Sequence, residues 1–178
     1  MAVARRTLLA AAFGSAATSV AAPALARVIG KFERSLSFES LHTGERLKTI
    51  YWANGVYLPD AARDIAQVLR DRRNQAIHPI EPGLLDLLHA LTQKLDTSAS
   101  LLVICGYRSP ESNSAMASLN NGVVRNSLHT RGMAIDIRIP GVELTHLRDA
   151  AKSLAGGGVG YYPKSDFVHV DNGRVRSW

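Results

Sequence analysis

The sequence predicts an α+β domain: a small, mostly antiparallel sheet with two or three helices packed on one face. Three observations carry this expectation. Alternating apolar and polar residues mark strands around 34–52, 132–139 and 166–171, the period of a chain with one buried face. Helical stretches fall between them, with leucines recurring on one stripe over 82–95. No internal repeat or domain-scale linker divides the chain, and its length suits one domain with a proper core.

Arg34 to Trp52 reads as a hairpin, with Leu36 and Phe38 alternating with polar residues and His42-Thr43-Gly44-Glu45 as the turn. Asp60 to about Asn74 is expected to be a helix, because Ile65, Val68, Leu69 and Arg72 fall at helical spacing. Pro79 breaks the chain. A second helix, Pro82 to Leu95, carries Leu84, Leu85, Leu88, Leu91 and Leu95, with His89 an ordinary boundary residue. Leu101 to Cys105 reads as a buried strand, and Cys105 as a small core residue rather than a nucleophile paired with His129. Ser109-Pro110 then opens a helix running to about Leu119, since serine caps free amides and proline suits the first helical position. Asn120-Asn121-Gly122 is a turn, and a strand from Gly132 to Ile139 is closed by Pro140-Gly141. A helix is expected over 144–154. Gly156 to Gly160 looks too glycine-rich for regular structure, and the last strand is Asp166 to Asp171.

Residues 1–26 are expected to be an export signal. Arg5-Arg6 form a basic start, an uncharged run extends from Thr7 to Ala22, and Ala24-Leu25-Ala26 offers a cleavage site. The paired arginines suggest the twin-arginine type, and hence a periplasmic protein. Gly14, Ser15, Thr18, Ser19 and Pro23 make the run weakly hydrophobic for a permanent membrane span. Taking Arg5 and Arg6 from the 21 basic residues leaves 19 against 15 acidic ones, a net +4. These charges are dispersed rather than striped, which fits an anionic polymer and does not argue for nucleic acid. The single cysteine excludes an intramolecular disulfide.

The chemistry-bearing residues gather late in the chain. His129 precedes the strand that holds Asp136, and His169 lies in the last strand beside Asp171. By strand parity Asp136 and His169 can face each other across neighbouring strands, with His129 reaching in from the preceding turn. Two imidazoles and a carboxylate are the ligand set of a catalytic Zn²⁺ that keeps one position open. A buried strand carboxylate also needs a partner of this kind. The spacing is not that of the helical His-Glu-x-x-His proteases. The metal would lie on the sheet face opposite the helices, in a groove walled by the loops around 108–127 and 156–166.

Ser127-x-His129-x-x-Gly132-x-Ala134-x-Asp136, followed by Gly157 to Pro163 and Phe167 to Asp171, resembles the D-Ala-D-Ala metallopeptidase group. Leu41 to Glu45, Gly106 to Ser109 and Trp178 extend the match in the same order, toward that group's periplasmic murein endopeptidases. The resemblance implies the fold shared with lysostaphin-type enzymes and hedgehog domains, and one Zn²⁺ bound by His129, Asp136 and His169. It also implies cleavage of the peptide crosslinks between peptidoglycan stem peptides, at diaminopimelate–diaminopimelate and D-Ala–diaminopimelate links. Arg108 is then a candidate for stabilising the oxyanion or clamping a substrate carboxylate. Asp166 and Asp171 are alternative general bases, and Asp171 could instead orient a metal ligand. Ser127, Tyr161 and Tyr162 are candidate substrate contacts. A carboxypeptidase or dipeptidase trimming free D-amino-acid ends, and a wall-binding module without turnover, are the competing readings.

Overall fold

The hairpin forms where the alternation places it, with Leu36 and Phe38 buried and Gly44 at the turn in the left-handed region. Its strands are β1 (Glu33–Ser40) and β2 (Arg46–Ala53), and Val56–Tyr57 adds a short β3. The protein is described by a computed structural model over residues 32–119 and 124–178. The expected export segment and the expected turn at Asn120-Asn121-Gly122 lie outside the described residues. Four helices follow: α1 (Pro59–Val68), α2 (Pro82–Lys94), α3 (Pro110–Leu119) and α4 (Leu144–Leu154). The remaining strands are β4 (Leu101–Cys105), β5 (Ala134–Arg138), β6 (Gly158–Tyr162), β7 (Phe167–Asp171) and β8 (Arg176–Ser177).

All eight strands form one sheet in the order β3-β2-β1-β4-β5-β7-β6-β8. Only the β1–β4 and β6–β8 pairs are parallel. Helices α1, α2 and α4 cover one face. There Phe38, Leu101, Ile135, Ile137, Val168 and Val170 meet Ile65, Leu84, Leu88, Leu91 and Leu147. Burying one such side chain contributes about 1.5–3 kcal/mol, so this layer supplies most of the force that aligns the strands. Among the described residues, no helix is long and apolar enough to cross a membrane.

Three expectations need correction. The glycine-rich stretch is a strand, β6, and its glycines serve close approach rather than irregularity. A Cβ at Gly158 would come within 2.4 Å of Asp171 and Arg176, and one at Gly160 within 2.7 Å of Trp178. The first helix ends at Val68, not near Asn74. Beyond it the Asp71 carboxylate accepts from the amides of Arg73 (2.9 Å) and Ser109 (2.8 Å), and such side-chain bonds compete with helix. The strand expected from Gly132 begins at Ala134, because Gly132 turns with φ +65°.

Candidate metal centre

Register brings the expected ligands together. Asp136 on β5 stands directly opposite His169 on β7, and on the opposite face Ile135 meets Val170 and Ile137 meets Val168. One face of these two strands is therefore core and the other is site. His129 enters from a 3₁₀ turn, Leu128–Arg131, whose first amides need a cap. Ser127 supplies it, its hydroxyl accepting from the His129 amide at 3.3 Å. Gly132 closes the turn in the left-handed region, where a Cβ would lie 2.2 Å from the Pro79 carbonyl oxygen.

Three atoms converge: His129 Nε2, His169 Nδ1 and Asp136 Oδ1. Their separations are 3.2 Å between the histidines, 2.8 Å from His169 to Asp136 and 3.3 Å from His129 to Asp136. A tetrahedral ion with ligands at about 2.0–2.1 Å sets its ligand atoms roughly 3.3 Å apart, so the triangle is of the right size. The outer nitrogens decide the tautomers. His129 Nδ1 lies 2.7 Å from the Gly106 carbonyl oxygen, which can only accept. His169 Nε2 lies 3.1 Å from Asp171 Oδ2. His129 thus donates outward and turns a lone pair inward, and His169 does the same when its proton is given to Asp171. Three acceptors with no proton among them require a cation. Without a metal that cation is a proton: burial works to lower the His129 pKa, but the Asp136 carboxylate and the Cys105 sulfur raise it to about 10. In that state Asp136 is held well below the usual carboxylate range, because the charge of His129 and the hydrogen bond it donates outweigh the burial of the carboxylate.

Behind the triangle lies a closed support. Asp171 is fully buried, and both its oxygens are engaged. Oδ1 accepts from the amides of Gly158 (3.1 Å) and Gly173 (2.9 Å) and from Arg176, while Oδ2 accepts from His169 and from Arg176 at 2.7 Å. Burial opposes the charge of Asp171, but these bonds hold its pKa well below the ordinary range. The Arg176 guanidinium lies over the Trp178 ring, whose Nε1 donates to the Tyr162 hydroxyl at 2.7 Å.

In front of it is a groove of about 510 Å³, the size of a ligand pocket. Its walls include Arg108, Ser127, Tyr162, Phe167 and Trp178, with His129, Asp136 and His169 at its base. Arg108 is almost fully buried, its Nη1 donating to Asn113 and its Nη2 4.0 Å from Asp136 Oδ2. Asn113 also ties down the carbonyls of Val124 and Arg125.

The structure separates the other expected residues. Tyr162 lines the groove, whereas Tyr161 turns to the helix face and stacks under the Arg148 guanidinium. Asp166 pairs with Arg138 at the surface and is not part of the groove wall. Cys105 leaves the core and joins His129 and Asp136, the three ligand atoms lying within 4.8 Å of one another. Asn113 and Arg176 escaped the sequence reading. Arg176 had one available signal, the Asn172-Gly173 turn that brings the chain back beside Asp171.

Comparisons with known proteins point to one family. Residues 29–178 match the model of a family described as peptidoglycan L,D-endopeptidase MepK. The chain is 39% identical to the peptidoglycan L,D-endopeptidase MepK of Escherichia coli K12 over 177 residues, covering 98% of this chain and 96% of that protein. The Shigella flexneri protein of the same name gives the same figures. The probable peptidoglycan L,D-endopeptidase MepK of Haemophilus influenzae is 39% identical over 155 residues, 86% of this chain and 83% of that one. No solved structure gives a significant match.

Proposed function

The chain belongs to the peptidoglycan L,D-endopeptidase MepK family, and from that premise we propose how its groove hydrolyses the peptide crosslinks of peptidoglycan. The enzyme is a peptidoglycan endopeptidase of the metallopeptidase kind. We read the ion as one Zn²⁺ held by His129, Asp136 and His169, and the preferred bond as the link between two diaminopimelate residues, with D-Ala–diaminopimelate links as a second substrate. The observation that carries this reading is the buried triangle of His129 Nε2, His169 Nδ1 and Asp136 Oδ1, whose 2.8–3.3 Å edges fit a tetrahedral ion.

When bound, a zinc ion supplies the Lewis acidity that makes water nucleophilic near neutral pH and polarises a carbonyl. The protein supplies the rest. Asp171 fixes the His169 ring so that Nδ1 faces inward, and the Gly106 carbonyl does the same for His129 Nε2. Arg108 presents a buried guanidinium to the negative oxygen that develops during amide hydrolysis. Tyr162, Phe167 and Trp178 form an aromatic wall along the groove, which offers the Tyr162 hydroxyl to substrate. Ser127 shapes the turn that carries His129. Asp171 is read as a positioning residue rather than the general base, since its oxygens are already occupied. Asp166, paired with Arg138, is read as a surface residue.

Purified sacculi treated with the protein lacking residues 1–26 test the function. Monomeric stem peptides identified by mass should appear, and should disappear when a chelator is present. Products shortened only by terminal D-amino acids would show a carboxypeptidase instead, and no chelator-sensitive release would defeat the peptidase reading. Arg108→Ala should lower kcat by about 10²–10³-fold, the loss typical of removing one oxyanion donor. Residues 1–26 are read as a twin-arginine export signal leading to the periplasm. An exported protein that does not begin at Arg27 would contradict the cleavage site.

A further inference from the structure

Strand β4 brings the centre one donor more than the reaction above uses. Leu101 and Val103 point into the core, and strict alternation would send Cys105 the same way. The register shifts between Val103 and Cys105, however, so that Val103 faces Ile137 while Cys105, not Ile104, stands opposite Asp136. A bulge of one residue turns the following side chain to the other face of the sheet. The bulged Ile104 carbonyl is held by the His42 ring at 2.9 Å. Cys105, Asp136 and His169 consequently form one row across β4, β5 and β7. The sulfur completes a second triplet with His129 and Asp136, its ligand atoms within 4.8 Å of one another.

Arg108 gives a second, independent indication. It is 9% exposed, its Nη2 lies 3.4 Å from Cys105 Sγ, and its Nε is buried without a partner. A buried guanidinium that donates to the sulfur favours an anionic thiolate there. Thiolate is a strong ligand for zinc, with a bond of about 2.3 Å, and it favours soft metals.

We propose that Cys105 is a fourth, displaceable ligand of the metal centre, closing its open position in the resting protein. Binding releases the thiol proton to solvent; when substrate enters the groove the sulfur leaves and takes a proton back. The proposal rests on His129, Asp136 and His169 being the other ligands.

Cobalt(II) loaded into the metal-free full chain tests both layers separately. Visible d–d bands report an ion on the three-ligand set, and a near-ultraviolet charge-transfer band reports a cobalt–thiolate bond. We expect both in the wild type, loss of the charge-transfer band alone in Cys105→Ser, and its decline on adding a crosslinked stem peptide. The wild-type spectrum decides even if the variant folds poorly. Visible bands without a charge-transfer band would overturn the role of Cys105 and leave the three-ligand reading standing. No bound cobalt at all would overturn both.

Discussion

Asp171 and Asp166 lie five residues apart and meet opposite fates. Asp171 is sealed behind His169 with five hydrogen bonds to its two oxygens. Its loss should therefore be felt as metal affinity: Asp171→Asn is expected to weaken binding by about 10–100-fold, the usual effect of removing a group that orients a ligand. Competition with a chromophoric chelator measures this, and kcat should recover at saturating metal. A kcat that stays low with the site full would make Asp171 the base after all. Asp166 pairs with Arg138 at the surface, so Asp166→Ala should change stability by less than about 1 kcal/mol and leave turnover as it was. At this scale the convergence of His129, Asp136 and His169 was legible in the sequence, because residue type and strand parity place them on one face. Cys105 was not, since its side chain obeys a bulge that no local pattern marks.

The short elements that carry the expected ligands depend on backbone conformations that few residues adopt. Gly132 ends the His129 turn at φ +65°, with the Pro79 carbonyl where a Cβ would go. Gly141 has a comparable φ of +76° but open space around it. Alanine at either position bears the left-handed cost of about 1–2 kcal/mol, and only Gly132→Ala adds the clash. Its melting temperature should fall further than that of Gly141→Ala, at roughly 2–4 °C per kcal/mol for a chain of this size. Equal losses would mean that the turn can shift away from Pro79. Helix α2 was read from leucine spacing and α3 from its Ser109-Pro110 start, and both agree with the structure at Pro82–Lys94 and Pro110–Leu119. Strand β6 was missed because its glycines look like disorder in a sequence. They are required by Asp171, Arg176 and Trp178, all distant in the chain.

For the molecule as a whole, acid is the informative stress. Asp71 joins the end of α1 to the start of α3 and so holds the loop bearing Arg108. Burial would raise its pKa, but hydrogen bonds from Ser112, Arg73 and Ser109 lower it overall. A carboxylate depressed in this way stabilises the fold above about pH 4, its unfolded value, and that contribution is lost as pH falls through the folded value. Thermal melts from neutral to acid pH should show a drop that is shallower in Asp71→Asn, and parallel curves would remove Asp71 from the account. The amphipathic elements, the one-sided core and the identities of His129, Asp136 and His169 follow from residue type and period, which are local properties. Tertiary structure alone decided that Asp171 is enclosed, that Asp166 turns outward, that Tyr161 and Tyr162 part company and that Cys105 faces His129 and Asp136. Each depends on register, a bulge or a neighbour brought from far along the chain. A shift of one residue in pairing reverses the face a side chain presents, and single-chain periodicity cannot reveal which residue bulges.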